Sequence, residues 1–202
     1  YLDALVLMAH VCDSEKEQIL SRFPEEIAPA IEERFWRIIE ERAQRIPVSY
    51  LRNMKEFWNL TFFVDPRVLV PRPETEILVN LALCEIPRDE EWRILDLGTG
   101  SGAIAVAIAC ERPLCRVTAV DNSEDALAVA RENARILAPG NVDCVLGDWT
   151  GPVRDRTFDL IVSNPPYVRA DDEALASLRH EPQAALVAGE DGLDAERVDE
   201  IL

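Results

Sequence analysis

The sequence is short of positive charge. Lysine and arginine number 21 against 38 aspartates and glutamates, a formal net charge of −17 at pH 7. The cations form no cluster, so no basic groove for a phosphate backbone is expected, and a surface this acidic repels one. Direct binding to nucleic acid is therefore not expected. From Asp171 to Leu202 ten acids stand against two arginines, a run that reads first as a solvated face. The two histidines, His10 and His180, are far apart and lack ligand spacing. None of the five cysteines, Cys12, Cys84, Cys110, Cys115 and Cys144, forms a CxxC pair. No metal site and no disulfide framework is expected. An odd count among apolar neighbours suits buried free thiols in a reducing compartment, and a cytoplasmic location is the expectation.

Long apolar runs are also missing. None approaches the ~18 residues of a membrane span, and no signal peptide is visible. There is no internal repeat, low-complexity segment or Ser–His–Asp arrangement. What remains is 202 residues, 48% apolar and 29% charged, enough for one sizeable soluble domain and a small appendage. The chain opens on Tyr1 and closes on Leu202, both inside helical patterns, and reads as a piece of a longer protein.

Residues 1–52 carry helical signals. Leu2, Leu5, Val6, Met8, Ala9 and Cys12 fall near one helical face, and Ile31, Phe35, Ile38 and Ile39 repeat that spacing further on. "DSEKEQIL" starts with an Asp-Ser cap. Three to five short helices are expected, with Trp36 in their core. "KEFWNLTFFVD" (55–65) reads as a β-hairpin around Asn59, and "VLVPRPETEILVNLAL" (68–83) as a short strand, a proline turn and a helix. From residue 92, strand-like apolar runs alternate with helical periods: "RILDLG", "AIAVAIACE", "RVTAVD", "SEDALAVARENARIL", "VDCVLGD", "FDLIVSN". This predicts βαβ units around a parallel sheet, whose ligands bind at the carboxyl ends of the strands.

The strand ends are therefore where chemistry is sought. After the first strand comes "DLGTGSGA", Asp96 to Ala103, whose glycines Gly98, Gly100 and Gly102 permit tight turns and close approach to a ligand. It fits a dinucleotide loop or the loop of S-adenosylmethionine (SAM) enzymes, and simple helix–strand packing accounts for it too. Asp121, about twenty residues beyond, can accept both ribose hydroxyls of either cofactor, or cap the next helix; Asn122 or Ser123 could cap it instead. After the third strand, Asp148 can bond an adenine amino group and Trp149 can cover its ring, or both are an acidic loop over the core.

The fourth strand ends in "SNPPYV", residues 163–168. A nicotinamide enzyme has no use for such a turn, whereas a methyltransferase acting on an amide or exocyclic amine does. That nitrogen is a poor nucleophile because its lone pair is delocalised. The Asn164 side-chain oxygen and the Pro165 carbonyl can accept its N–H bonds and turn the lone pair towards a methyl donor. Pro165 and Pro166 fix the backbone that carries both acceptors. Tyr167 can stack on the flat face of the target.

These strand ends, in this order, resemble class I SAM-dependent methyltransferases with an NPPY motif. Residues 47–79, containing "PRPETE", together with "ILDLGTGSGAIAVAIA" (94–109), "VSNPPYV" (162–168) and "EPQAALVAGEDGLD" (181–194), resemble the HemK/PrmC family of protein-(glutamine-N5) methyltransferases. The resemblance covers nearly the whole chain. It implies an α/β fold with a Rossmann-like, mainly parallel sheet, a small N-terminal helical domain and a linking β-hairpin. It also implies further C-terminal strands, one pair antiparallel, that this chain lacks. The implied domains are 1–52 for substrate docking, 53–70 as the hairpin linker and 71–202 as the methyltransferase domain, incomplete at its C-terminus. SAM would be the cofactor and S-adenosylhomocysteine its product. The implied cofactor contacts are Asp96, Gly98, Thr99, Gly100, Ser101, Gly102, Asp121, Asn122, Asp148, Trp149 and Asn164. Asn164, Pro165, Pro166 and Tyr167 would hold the substrate, the glutamine of the Gly-Gly-Gln loop of a peptide chain release factor, with Asn164, Pro165 and Tyr167 catalytic. A monomer is expected. The family often has glycine where this chain has Arg45 and Asn53.

Other functions compete. Methylation of adenine N6 or guanine N2 would use the same turn, but needs a basic groove. A nicotinamide oxidoreductase leaves "NPPY" and "PRPETE" unexplained. A non-catalytic binding module would transfer no methyl group at all.

Overall fold

The computed structural model describes residues 2–21, 26–138 and 140–194. Two compact units divide the chain, Tyr1–Asn53 and Met54–Leu202. The helical pattern noted at Leu202 lies outside the described residues.

The first unit is helical: α1 (Leu2–Val11), α2 (Lys16–Ser21), α3 (Pro29–Ala43) and α4 (Val48–Arg52). α1 buries Leu7, Ala9 and Val11, and its Asp3 accepts from Arg42 Nε of α3 at 2.8 Å. The expected Asp-Ser cap is not made. Asp13 turns into the left-handed region (φ 49°), Ser14 Oγ donates to the Cys12 carbonyl, and Gln18 Oε1 accepts the Glu15 N–H instead. Trp36 is not core either, being 55% exposed. One residue beyond Phe35 is about 100° around the helix, which carries Trp36 off the half-buried stripe of Ile31, Phe35 and Ile38. Arg45 (φ 70°) and Asn53 (φ 52°), where the family often has glycine, are both left-handed. Asparagine tolerates that region; arginine sits there under strain.

The second unit opens with an antiparallel hairpin, β1 (Lys55–Phe57) and β2 (Leu60–Phe62). Trp58 and Asn59 take φ of 51° and 55°, the left-handed pair a two-residue turn requires. Trp58 is fastened by its backbone N–H to Glu76 and its indole N–H to Glu111, both at 3.0 Å. Beneath it Phe57 and Phe62 pack edge to face, fully buried.

The expected strand at 68–70 does not form. Val68 and Val70 are buried, but the Val70 N–H donates to the Glu181 carboxylate at 3.1 Å rather than to a neighbouring strand. A loop leads into α5 (Thr75–Glu85). The alternation then proceeds as expected: β3 (Arg93–Leu97), α6 (Ala103–Glu111), β4 (Arg116–Asp121), α7 (Glu124–Leu137), β5 (Val142–Leu146) and β6 (Leu160–Ser163).

These strands form a parallel sheet in the order β5-β4-β3-β6. The order reverses beside β3, and the crevice at such a reversal is where open sheets bind ligands. α6 is buried on every side from Ala103 to Ala109, its alanines allowing close approach. α7 turns one apolar face inward, with Leu127, Val129 and Ala130 buried. Gly102 (φ 81°) joins β3 to α6, and a Cβ there would come within 3.3 Å of Ala130, so glycine is needed for both conformation and space. Arg112, buried, donates to the Leu83 and Ile86 carbonyls and so closes the end of α5. Among the described residues no helix is long and apolar enough to cross a membrane. Burial of the thiols is narrower than expected: Cys115 is buried, but Cys84 and Cys110, each one residue from the C-terminal end of its helix, α5 or α6, are exposed.

Candidate active site

The strand ends converge on a cavity of about 190 Å³. Its first wall is the loop after β3. The Gly98 and Thr99 N–H groups donate to the Val120 carbonyl at 2.9 and 3.0 Å, which ties the loop to the end of β4. Gly98 and Gly100 both line the cavity, and a Cβ on either would meet no atom within 4 Å. The glycines therefore leave open the space that a ligand would fill. Asn133 of α7, buried, holds the far end of the loop: its Nδ2 donates to the Ser101 carbonyl at 2.9 Å and to that of Phe63 at 3.0 Å, while its Oδ1 accepts the Phe63 N–H.

Asp121, at the end of β4, accepts the Gly100 N–H on Oδ2 at 2.8 Å and the Ser123 N–H on Oδ1 at 2.9 Å. Each oxygen keeps a lone pair for a further donor. Ser123 caps α7, accepting from the Ala126 N–H at 3.2 Å, which relieves Asp121 of that role. Trp149 also lines the cavity and packs against the cluster of Leu95, Leu97, Val120 and Val153, so it serves core and site together. It does so at φ 47°, an unusual conformation for a bulky residue, and such strain concentrates at ligand sites. Thr99, Ser101, Asn122 and Asp148 are further polar residues of the lining.

Asp96 and Gly102 are not among the lining residues. Asp96 is fully buried beneath the loop, where its Oδ2 accepts the Thr99 hydroxyl at 2.7 Å. Burial raises its carboxyl from 3.8 to about 6, against the opposing pull of the Thr99 hydroxyl and the Ala105 N–H. Its place is under the loop, and Gly102 is the loop's hinge against α7.

A second cavity, of about 270 Å³, shares Asn164 with the first. Pro165, Tyr167 and Val168 line it together with Leu78 of α5 and Leu178. Pro166 faces the first cavity instead. Tyr167 is 69% exposed, its ring free to cover an incoming group. Asn164, Thr75, Arg72, Leu69 and Ala185 belong to both linings, so Asn164 stands in a wall common to the two cavities. The Ser163 hydroxyl donates to the Leu97 carbonyl at 2.8 Å and anchors the residue before it to β3.

The two motifs that sequence reasoning left without a chemical role now have one. The "PRPETE" loop and the 181–194 segment brace the NPPY turn. Glu181, buried, accepts the Val70 N–H and pairs with Arg72 at 2.5 Å. Val168 exchanges hydrogen bonds with Leu186 and Ala188, and Ala170 donates to Gly189. At Gly192 (φ 79°) a Cβ would stand 2.9 Å from the Tyr167 carbonyl. Sequence reasoning missed Thr75, Arg72, Glu181, Asn133 and Gly192 as site residues. The motif strings were visible, but partners 109 positions apart, like Arg72 and Glu181, were not.

Residues 74–189 match the methyltransferase small domain family, and residues 1–52 match the PrmC N-terminal domain family. The chain is 45% identical over 199 residues to a release factor glutamine methyltransferase of Xylella fastidiosa (strain 9a5c), covering 98% of this chain and 72% of that protein. The Salmonella typhimurium protein of the same name is 44% identical over 95% of this chain and 69% of its own length. That of Deinococcus radiodurans is 46% identical over 97% and 70%. Sheet, glycine loop and family matches together define a class I SAM-dependent methyltransferase. Within that class, the chain belongs to the release factor glutamine methyltransferase family.

Proposed function

We propose that the protein transfers a methyl group from SAM to the side-chain nitrogen, N5, of the glutamine in the Gly-Gly-Gln motif of peptide chain release factors. The observation that carries this is the position of Asn164 between the two cavities, one suited to the cofactor and the other to the acceptor. The first has the features SAM needs: a carboxylate, Asp121, with unused lone pairs for ribose hydroxyls, an aromatic wall in Trp149 for adenine, and glycines that leave room for the chain between them. Gly98, Thr99, Gly100, Ser101, Asn122, Asp148 and Asn164 would complete this contact surface, with Asp96 and Gly102 supporting it from beneath.

When bound, SAM supplies a methyl group on a sulfonium, which already makes a good leaving group. The protein supplies position. The Asn164 Oδ1 and the Pro165 carbonyl accept the two N–H bonds of the glutamine amide and point its lone pair through the shared wall. Pro166 holds the turn rigid, and the Tyr167 ring covers the amide face. Such positioning can lower a barrier by about 7–11 kcal/mol. The N–C bond would form as the sulfonium C–S bond breaks, S-adenosylhomocysteine would leave, and the surplus N–H proton would pass to water after transfer, so no side chain with a shifted pKa is required.

Residues 1–52 serve as the docking domain for the release factor, 53–70 as the linker and 71–202 as the catalytic domain, working as a monomer in the cytoplasm. Exocyclic amines of adenine or guanine would fit the same acceptors, but the net charge of −17 disfavours their phosphates. The test is a transfer assay with labelled SAM and the full-length protein, given release factor or total RNA in separate reactions. Label on the release factor, lost when its Gly-Gly-Gln glutamine is replaced, is expected. Label on RNA alone would favour base methylation.

A further inference from the structure

Asn164 makes a hydrogen bond that methyl transfer does not itself call for. Its Nδ2 donates to Thr75 Oγ1, on α5, at 3.2 Å. The two ends of an asparagine amide are almost alike in shape and opposite in polarity, one accepting and one donating. Turned by 180°, the Asn164 side chain would aim N–H groups at the N–H groups of the acceptor amide. The clamp works in one orientation, and some contact has to select it.

We propose that Thr75 is a positioning residue, which takes up the Asn164 Nδ2 and leaves Oδ1 free for the acceptor nitrogen. This rests on the function proposed above and adds to it the residue that sets the polarity of the clamp. Thr75 is well placed for the task. It lines both cavities beside Asn164. It is the first residue of α5, with its N–H bonded to the Arg72 carbonyl at 3.0 Å. Arg72 is in turn pinned by buried Glu181, between Pro71 and Pro73 whose φ angles are fixed. Branching at Cβ limits the Thr75 side chain to few rotamers. Nor is Thr75 needed as a helix cap: the residue at that position is Glu74, and no side-chain cap bond is made there. The hydroxyl thus stands at the first turn of α5, bonded to the one side chain whose orientation decides the reaction.

The test compares Thr75→Val, Thr75→Ala and Thr75→Ser in the full-length protein, with wild type alongside. Valine fills the same wall but cannot accept a hydrogen bond. With release factor and labelled SAM, Thr75→Val and Thr75→Ala should each lower kcat about tenfold, the worth of one neutral hydrogen bond. In Thr75→Val the KM for the release factor and the Kd for SAM, by calorimetry, should stay within about twofold, since valine keeps the shape of the wall that Thr75 gives to both cavities. Thr75→Ser, which keeps the hydroxyl, should restore kcat. Wild-type kcat in Thr75→Val would overturn the proposal, and so would a loss that serine does not rescue or one matched by an equal loss of SAM affinity. A wild-type protein that labels no release factor would instead overturn the proposed function, and the role of Thr75 with it.

Discussion

Asp121 Oδ2 accepts the Gly100 N–H at 2.8 Å, so the acid that ends β4 holds the glycine loop that follows β3. The two strands are neighbours in register, with Leu97 opposite Val120, and the bond closes the gap between their ends. A carboxylate that already grips the loop and has lone pairs to spare can order the loop and hold a ligand at once. Replacing Asp121 with alanine should therefore weaken SAM binding about 10- to 100-fold, the worth of a hydrogen bond or so to a charged group. Calorimetric titration with SAM measures this directly. Unchanged affinity would remove Asp121 from the cofactor site.

Asn164→Ala should act on turnover instead. A polar group aimed at the reacting atoms is typically worth about 10²–10³ in kcat. SAM affinity should change by less than about threefold, because most of the proposed cofactor contacts lie elsewhere. Single-turnover kinetics with saturating SAM separate the two effects, and a mutant with normal turnover would refute the clamp.

The brace behind the NPPY turn should be felt as stability. Glu181→Ala leaves the Val70 N–H and the Arg72 guanidinium without their partner. Breaking a buried pair costs about 3–5 kcal/mol, but Arg72 is 34% exposed and water recovers part of that, so about 2 kcal/mol is expected in urea melts. Gly192→Ala places a Cβ 2.9 Å from the Tyr167 carbonyl at φ 79°, at a cost of about 1–3 kcal/mol. It should also raise the acceptor KM, since Tyr167 must move. A Gly192→Ala protein with wild-type stability and KM would show that the 181–194 segment does not set the turn.

Asp96 gives the fold a pH dependence of known sign. Its folded value, about 6, lies above the unfolded 3.8, so the folded state holds the proton more tightly. This contribution is fully present below about pH 4 and is lost as pH rises through 6, by about 3 kcal/mol at most. Asp96→Asn stays neutral throughout. Its stability relative to wild type should therefore rise between pH 4.5 and pH 7.5 in paired denaturant melts. A difference that is flat with pH would mean that Asp96 is not desolvated as the structure has it.

Much of this was legible in the chain because it is local. A glycine loop, a carboxylate after the next strand and two prolines after an asparagine each declare their chemistry within a few residues, and the alternation from residue 92 onward orders them along a parallel sheet. Local pattern leaves other things open: a distant partner, the phase of a helix, or the depth of a side chain under a loop. Val68 to Val70 has the composition of a strand, yet the Val70 amide goes to Glu181. Trp36 looks like core, yet one residue's rotation puts it outside. Asp96 opens the loop motif, but lies under the cavity while its neighbours line it.

The class of fold, the glycine loop after β3 and the NPPY turn after β6 could be read along the chain, since each depends on residue types at short, regular spacing. Only the tertiary structure decided how they are held. Thr75 meets Asn164 across 89 positions and Asn133 meets Phe63 across 70. Such pairings leave no periodic trace, because the order of the strands in the sheet, and not their order in the chain, brings the partners together.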